Sequence, residues 1–244
     1  MSGAGQQTAD PQALGRSPVE LDAGMSKTLH NGLSILELLA AHPHGMSITE
    51  IAEGIGVHRT VAHRLLRTLE AHRLCRRDEH KVISLGASLV TLAESVEQDL
   101  RTLARPILEE LADTVGATAH LVVRESDTHV RAMMVVEPRR SDVHIAFRPG
   151  QLDPIDRGSA GMAILAALPP KEGERPEVTA ARRAGYAISA GEIISATIGI
   201  SAALSRRPGN TQAAIGISVF DATEEERLAG AVTTAARTLG NLLR

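Results

Sequence analysis

The chain has no tryptophan, one tyrosine (Tyr186) and two phenylalanines (Phe147, Phe220). Proteins that hold unpaired bases stack them on aromatic rings, so single-stranded nucleic acid is a poor partner here. Cysteine is nearly absent too. Cys75 stands alone, which excludes an intramolecular disulfide and any zinc site built from cysteines, and a cytoplasmic address is expected. No apolar run reaches the roughly 18 residues a bilayer span needs, and residues 1–25 lack the apolar stretch of a signal sequence, so no membrane association is expected. Also missing are a Gly-x-Ser-x-Gly elbow, a Gly-Lys-Ser/Thr phosphate loop and paired carboxylates at telling spacing, and nothing points to an enzyme. The histidines do not compensate. His58, His63, His72 and His80 lack the i, i+4 spacing or carboxylate partners of a compact site, so neither a metal nor a cofactor is expected.

What is present is unevenly spread. The formal net charge is −3 over 244 residues. Between His58 and Lys81, however, seven cations (Arg59, Arg64, Arg67, Arg73, Arg76, Arg77, Lys81) face three acids (Glu70, Asp78, Glu79), a local +4 that leaves −7 for the rest. A nucleic-acid surface is a local patch, and this one is dense.

The apolar pattern places that patch in a recognisable order of elements. Residues 1–25, rich in Gly, Gln, Ala and Pro, read as a disordered leader. Leu29, Leu33, Leu36 and Ala40 give a first helix that stops at His42-Pro43-His44-Gly45. Ser47 and Glu50 form a capping box for a short second helix with Ile48, Ile51, Ala52 and Ile55 inward. A third helix runs from about Arg59 to His72 with Val61, Leu65, Leu66 and Leu69 inward, which leaves Thr60, His63, Arg64 and Arg67 on one outward face. Leu74 to Arg77 and Lys81 to Leu85 read as a two-stranded wing. An amphipathic stretch then carries Leu89, Leu92, Val96, Leu100 and Leu103, and Pro106 reads as the start of a further helix.

Beyond Gly116 the signals are mixed. Strands are expected at Thr118 to Arg124, His129 to Glu137, Asp142 to Phe147, Ile198 to Leu204 and Ala213 to Val219, the last two joined by a turn over residues 206–210. Helices are expected at Ser159 to Leu168, at Val178 to Ala184, and from a Thr223 cap to the C-terminus. The fold class is therefore α+β: an N-terminal winged helix-turn-helix over 26–86, linker helices over 87–115, and an effector-binding and oligomerisation domain over 116–244.

A helix-turn-helix lays its second helix in the major groove, where arginines fork onto guanine and wing cations meet phosphate. Thr60, His63, Arg64 and Arg67 are assigned to the groove, and Arg59, Arg76, Arg77 and Lys81 to the backbone. The partner is double-stranded DNA. The run Gly56-Val57-His58-Arg59-Thr60-Val61-Ala62-His63-Arg64-Leu65-Leu66-Arg67-Thr68-Leu69, followed by Ile83-Ser84-Leu85-Gly86, resembles the turn, recognition helix and wing end of the IclR family of bacterial transcriptional regulators. That resemblance implies a GAF-like effector domain, a homodimer or dimer of dimers, and a roughly palindromic operator.

Residues 157–166 resemble the family's helix beside its effector pocket, with Met162 where the family usually has lysine, and Arg183-Ala184-Gly185-Tyr186-Ala187 resembles another of its signatures. Residues 169–180 look shorter than usual. By motif, Ser159, Ala160, Ser189, Thr197 and Gly199 are the pocket positions, with small residues admitting a ligand and hydroxyls fixing a carboxylate or hydroxyl. Strand alternation can turn Arg131, Met133 and Arg148 toward it, but the arginines read as exposed or interfacial and Met133-Met134 as core. The effector is expected to be a small organic molecule such as an organic acid. Two alternatives stand beside this ligand-responsive regulator: a constitutive architectural DNA-binding protein, and an enzyme with an accessory DNA-binding domain.

Overall fold

The structure, a computed structural model, describes residues 21–140, 147–205 and 211–243. Most of the expected leader, residues 142–146 of an expected strand and the 206–210 turn lie outside the described residues. The chain forms two compact units that divide between Val96 and Glu97. The stretch 87–115, grouped by sequence as linker, is thus shared between them.

In the first unit, α1 (Lys27–Ala41) starts at Ser26, whose hydroxyl accepts the Leu29 N–H. α2 (Ile48–Gly54) has the expected capping box: the Glu50 N–H reaches Ser47 Oγ at 3.3 Å, and the Ser47 N–H reaches the Glu50 carboxylate at 2.7 Å. Gly56, at φ +66°, then turns the chain so that the Val57 N–H caps the Ala52 carbonyl, a left-handed helix end that glycine adopts without strain. α3 (Arg59–Ala71) follows, its first turn capped by His58 Nδ1, which accepts the Thr60 N–H. The antiparallel wing is β1 (Cys75–Arg77) and β2 (Ile83–Leu85), to which Met46 adds a bridge at Ile83. Ile35, Leu39, Ile51, Leu66, Cys75 and Ile83 pack into one core. α4 (Ser88–Glu94) closes the unit.

Two apolar assignments differ from expectation. Val61 is exposed, and the fully buried Ala62 takes the inward place, a small side chain letting α3 approach its neighbours closely. In α1 the buried residues are Gly32, Ile35 and Leu39, while Leu29 and Leu33 face solvent.

The second unit is built on an antiparallel sheet in the order β5-β4-β3-β8-β7-β6. Its strands are β3 (Thr118–Arg124), β4 (His129–Val136), β5 (Leu152–Pro154), β6 (Ala187–Ala190), β7 (Ile198–Ala203) and β8 (Ala213–Val219). α5 (Gln98–Val115) and α8 (Glu225–Leu242) bury Leu108, Leu111, Val232 and Leu239 against one face, which offers Leu121, Ile200, Ile215 and Ile217. α6 (Gly158–Ala166) and α7 (Pro176–Ala184) pack on the other, where Val122 and Ala214 meet Met162, Ala163 and Val178.

Pro106 lies inside α5 rather than at its start. It costs the bond to the Thr102 carbonyl, but both residues are exposed, and the packing of Ala104, Leu108 and Leu111 carries one continuous helix across it. Thr223 does not cap α8. Its hydroxyl donates to the Asp221 carboxylate at 2.6 Å, and Glu224 holds the cap position. β5 and β6 were not anticipated, and Phe147 is described outside any strand. Met162, the departure from the family's lysine, is 1% exposed and part of the core beneath α6.

Candidate DNA-binding face and ligand cleft

On α3 the buried residues Ala62, Leu66 and Leu69 define one side, and Thr60, His63, Arg64 and Arg67 project from the opposite, exposed side. Arg59, Arg76 and Lys81 are exposed as well. Among the described residues no carboxylate pairs with Arg64, Arg67 or Arg76. Arg77 is different: its Nε donates to Glu70 at 3.0 Å, tying the wing to α3. Thr60 is also engaged, its hydroxyl 3.1 Å from His58 Nδ1. Lys81 sits at the wing tip at φ +65°, where the Asp78 carboxylate accepts the Val82 N–H at 2.8 Å. Two features escaped the sequence reading. Val61 joins the exposed face, and Gly86 is required because a Cβ there would stand 2.1 Å from the Arg73 carbonyl oxygen.

In the second unit a cleft with about 40 Å³ of cavity volume, or about 480 Å³ when the space of its open mouth is counted, lies between the start of α6 and the sheet. All five residues expected from sequence, Ser159, Ala160, Ser189, Thr197 and Gly199, line it. Arg131, Met133 and Arg148 do not. Arg131 is held by Glu125 and by the Gly150 carbonyl at 2.7 Å, Met133 packs toward the α5 and α8 side, and Arg148 is exposed.

Five polar lining residues were not among those expected: His120, Asp153, Arg157, Glu192 and Ser218. His120 had a legible signal, since strand alternation puts it opposite Leu121, on the face away from α5 and α8. Its ring is 4% exposed, edge-on to Phe147 with centroids 4.9 Å apart, and Nδ1 meets no partner among the described residues. Burial pushes its pKa down to about 4, so the imidazole is neutral.

The hydroxyls form a row across this face. Ser159 and Ser201, both buried, share a 2.7 Å hydrogen bond. Two glycines make room for the row. A Cβ at Gly199 would lie 2.6 Å from Ser159 Oγ and 3.4 Å from Ser189 Oγ, and one at Gly216 would lie 2.1 Å from Ser201 Oγ and 2.4 Å from His120 Nε2. The Thr197 hydroxyl is already taken up by the Ile194 carbonyl at 2.7 Å.

The acids of the cleft differ. Glu192 accepts the Gly158 N–H at 2.7 Å and pairs with Arg175 at 2.8 Å, and the arginine holds its carboxyl below the usual range. Asp153 is shifted upward by burial, against a hydrogen bond from Gln151. Among the described residues no group of His, Cys, Asp and Glu could hold a metal ion, and no helix is long and apolar enough to cross a membrane.

A winged helix-turn-helix with an exposed cationic recognition face, in one chain with a unit that holds a cleft lined by hydroxyls and small residues, defines a ligand-responsive transcriptional regulator. The IclR helix-turn-helix domain matches residues 28–79 and the bacterial transcriptional regulator IclR C-terminal domain matches residues 93–177, and the chain belongs to the IclR family. It is similar to the HTH-type transcriptional regulator KipR of Bacillus subtilis, at 24% identity over 83% of this chain and 90% of that protein. It is also similar to the transcriptional repressor IclR of Escherichia coli, at 28% identity over 65% of this chain and 60% of that protein. In structure it resembles an IclR homologue from Microbacterium hydrocarbonoxydans complexed with 4-hydroxybenzoate, with a TM-score of 0.77 at 22% identity over 89% of this chain and 99% of the other.

Proposed function

We propose that this regulator reads a roughly palindromic operator as a homodimer or dimer of dimers in the cytoplasm, and that a small organic acid held in the cleft sets its DNA affinity. Thr60, His63, Arg64 and Arg67 enter the major groove, and Arg59, Arg76, Arg77 and Lys81 meet phosphate. Ser159, Ala160, Ser189, Thr197 and Gly199 hold the effector. The observation that carries this reading is the cleft itself: five residues from α6, β6, β7 and the β6–β7 connection converge on one space. A constitutive architectural protein has no use for such a space. The 4-hydroxybenzoate bound by the Microbacterium homologue supports an organic acid, and likeness to the Escherichia coli repressor supports repression.

The dimer reading rests on apolar surface. Leu29 is 62% and Leu33 49% exposed on α1, and Val90 and Leu92 are exposed on α4. Leucines left in water on two helices of one unit suit a second copy. No catalytic constellation is assigned, and the protein acts by shifting between arrangements that bind DNA differently.

The test begins by sequencing genomic fragments enriched by the protein, followed by operator titrations with and without acids drawn from the regulated pathway. Coupling of about 1 to 3 kcal/mol corresponds to a change in operator affinity of roughly 5-fold to 150-fold. Gly199→Leu or Ala160→Leu removes the response. An acid that binds those bulky variants as well as the wild type places the site elsewhere.

A further inference from the structure

Among the described residues two buried side-chain nitrogens meet no partner: Arg182 Nε, on a guanidinium whose other nitrogens are bonded to Leu168 and Glu174, and His120 Nδ1, on a ring that lines the cleft. Phe147 stands against its edge, and on the far side Nε2 lies so near the Gly216 backbone that a single methyl would collide with it. A buried polar atom without a hydrogen bond is a standing cost, and in native proteins such an atom calls for a partner such as a bound water, ion or ligand.

The surroundings restrict what that something is. His120 shares the cleft with Val122 and Val130 and the Phe147 ring, so the wall around it is apolar. Burial keeps the imidazole neutral at physiological pH, so it offers a carboxylate one N–H at most and no counter-charge to offset the desolvation of an anion. A neutral imidazole has one donating and one accepting nitrogen, and a hydroxyl satisfies either tautomer because it both donates and accepts. An anionic group has a better place at the start of α6. The Gly158 N–H there is taken by Glu192, but the N–H groups of Ser159 and Ala160, next in the helix, have no intrahelical acceptor.

We propose that His120 is the specificity-determining residue of the cleft, and that it selects hydroxylated carboxylic acids over the same acids without the hydroxyl by bonding that hydroxyl through Nδ1. This deepens the reading of the cleft as the effector site and rests on it.

The test uses the full chain and matched pairs of acids that differ by one hydroxyl: propionate and 2-hydroxypropionate, butyrate and 3-hydroxybutyrate, benzoate and 4-hydroxybenzoate. Calorimetry on the wild type is expected to give the hydroxylated member of at least one pair an advantage of about tenfold or more, because the plain acid leaves a buried partner unmet. In His120→Phe, which keeps a planar ring and removes both nitrogens, the advantage falls to about twofold or less while the plain acid still binds. Independently of any variant, the 15N signals of the His120 ring in the wild type shift with the hydroxylated acid and stay in place with its plain partner. A hydroxyl preference that survives in His120→Phe, or acids that bind in the cleft without any hydroxyl preference, overturns the proposal and leaves the effector site standing. If no acid of any pair binds, the cleft is not an acid site and both readings fall.

Discussion

Replacing Arg64 or Arg67 with alanine separates base reading from backbone binding, and α3 makes the separation clean. At 100° per residue, Thr60, Arg64 and Arg67 fall within about 60° of one another around the helix, opposite Ala62, Leu66 and Leu69. The last three carry the packing, being fully or almost fully buried. Removing an exposed guanidinium therefore leaves the core untouched, and alanine is the better helix former by a few tenths of a kcal/mol. The Thr68 hydroxyl bonds the Arg64 carbonyl, a backbone contact that survives the change. Each bidentate contact to a base is worth about 1 to 3 kcal/mol of discrimination, and a two-fold dimer loses two, so each variant forfeits about 2 to 6 kcal/mol on the operator. That is a loss of roughly 30-fold to 20,000-fold in operator affinity, with a much smaller loss on scrambled duplex. Arg76→Ala in the wing is the contrast, weakening both duplexes alike and flattening the salt slope by about 0.9 per lost phosphate contact. Fluorescence anisotropy on labelled operator and scrambled duplex over a potassium chloride series measures both quantities. If the operator-to-scrambled ratio is unchanged in both Arg64→Ala and Arg67→Ala, α3 does not read bases through this face.

Arg77→Ala should weaken DNA binding more than Arg76→Ala, because it removes a cation and also uncovers Glu70, its partner at 3.0 Å; equal losses in salt titrations count against that. Gly86→Ala drives a methyl to 2.1 Å from the Arg73 carbonyl oxygen, so the first unit should lose about 2 kcal/mol or more, read by circular dichroism in a chain that has no tryptophan. Leu33→Glu on the exposed face of α1 should shift sedimentation toward monomer and weaken operator binding, burial of a leucine being worth about 1.5 to 3 kcal/mol per copy. Stability should also depend on His120, whose pKa stands at about 4 in the fold. An unfolded histidine titrates near pH 6.5, so the unfolded chain binds the extra proton first and stability falls as pH drops from about 6.5 toward 4, by up to about 3 kcal/mol. Urea midpoints of His120→Phe should lack that part of the acid sensitivity, whereas Asp153, the titrating neighbour in the cleft, is common to both proteins.

Local chemistry was the most legible part of the sequence. The Ser47–Glu50 capping box, the Gly56 turn and the spacing of Thr60, His63, Arg64 and Arg67 all depend on neighbours within a few residues, and the structure has each of them. The differences arise where a distant contact decides. Val61 looks the better core residue by size, yet the close approach at that point admits only Ala62. Pro106 reads as a helix start because proline suits the first turn, and only the face α5 buries on the sheet shows why the helix runs through it. Thr223 resembles a cap until Asp221 takes its hydroxyl. β5 and β6 are three and four residues long, too short for alternation to emerge, and exist because β4 and β7 offer edges to pair with. In the cleft, motif resemblance located the small residues, but the burial of His120, whose Nδ1 meets no partner among the described residues, depends on strands β3 and β8 meeting at Gly216 and is invisible along the chain.

The sheet of the second unit divides its labour by face. Ile200, Ile215 and Ile217 look toward α5 and α8 and carry packing, whereas Gly199, Gly216 and the hydroxyls between them look toward α6 and carry almost none. Mutational drift can therefore act on the two faces separately. The smallest change available to a glycine, one methyl group, is enough to fill the notch at Gly199 or Gly216 and to press on the hydroxyls of Ser159 or Ser201. A lineage can in this way lose or retune its response to a metabolite in a single step, at a cost in stability that falls on the second unit and leaves the residues of the DNA-reading face unchanged.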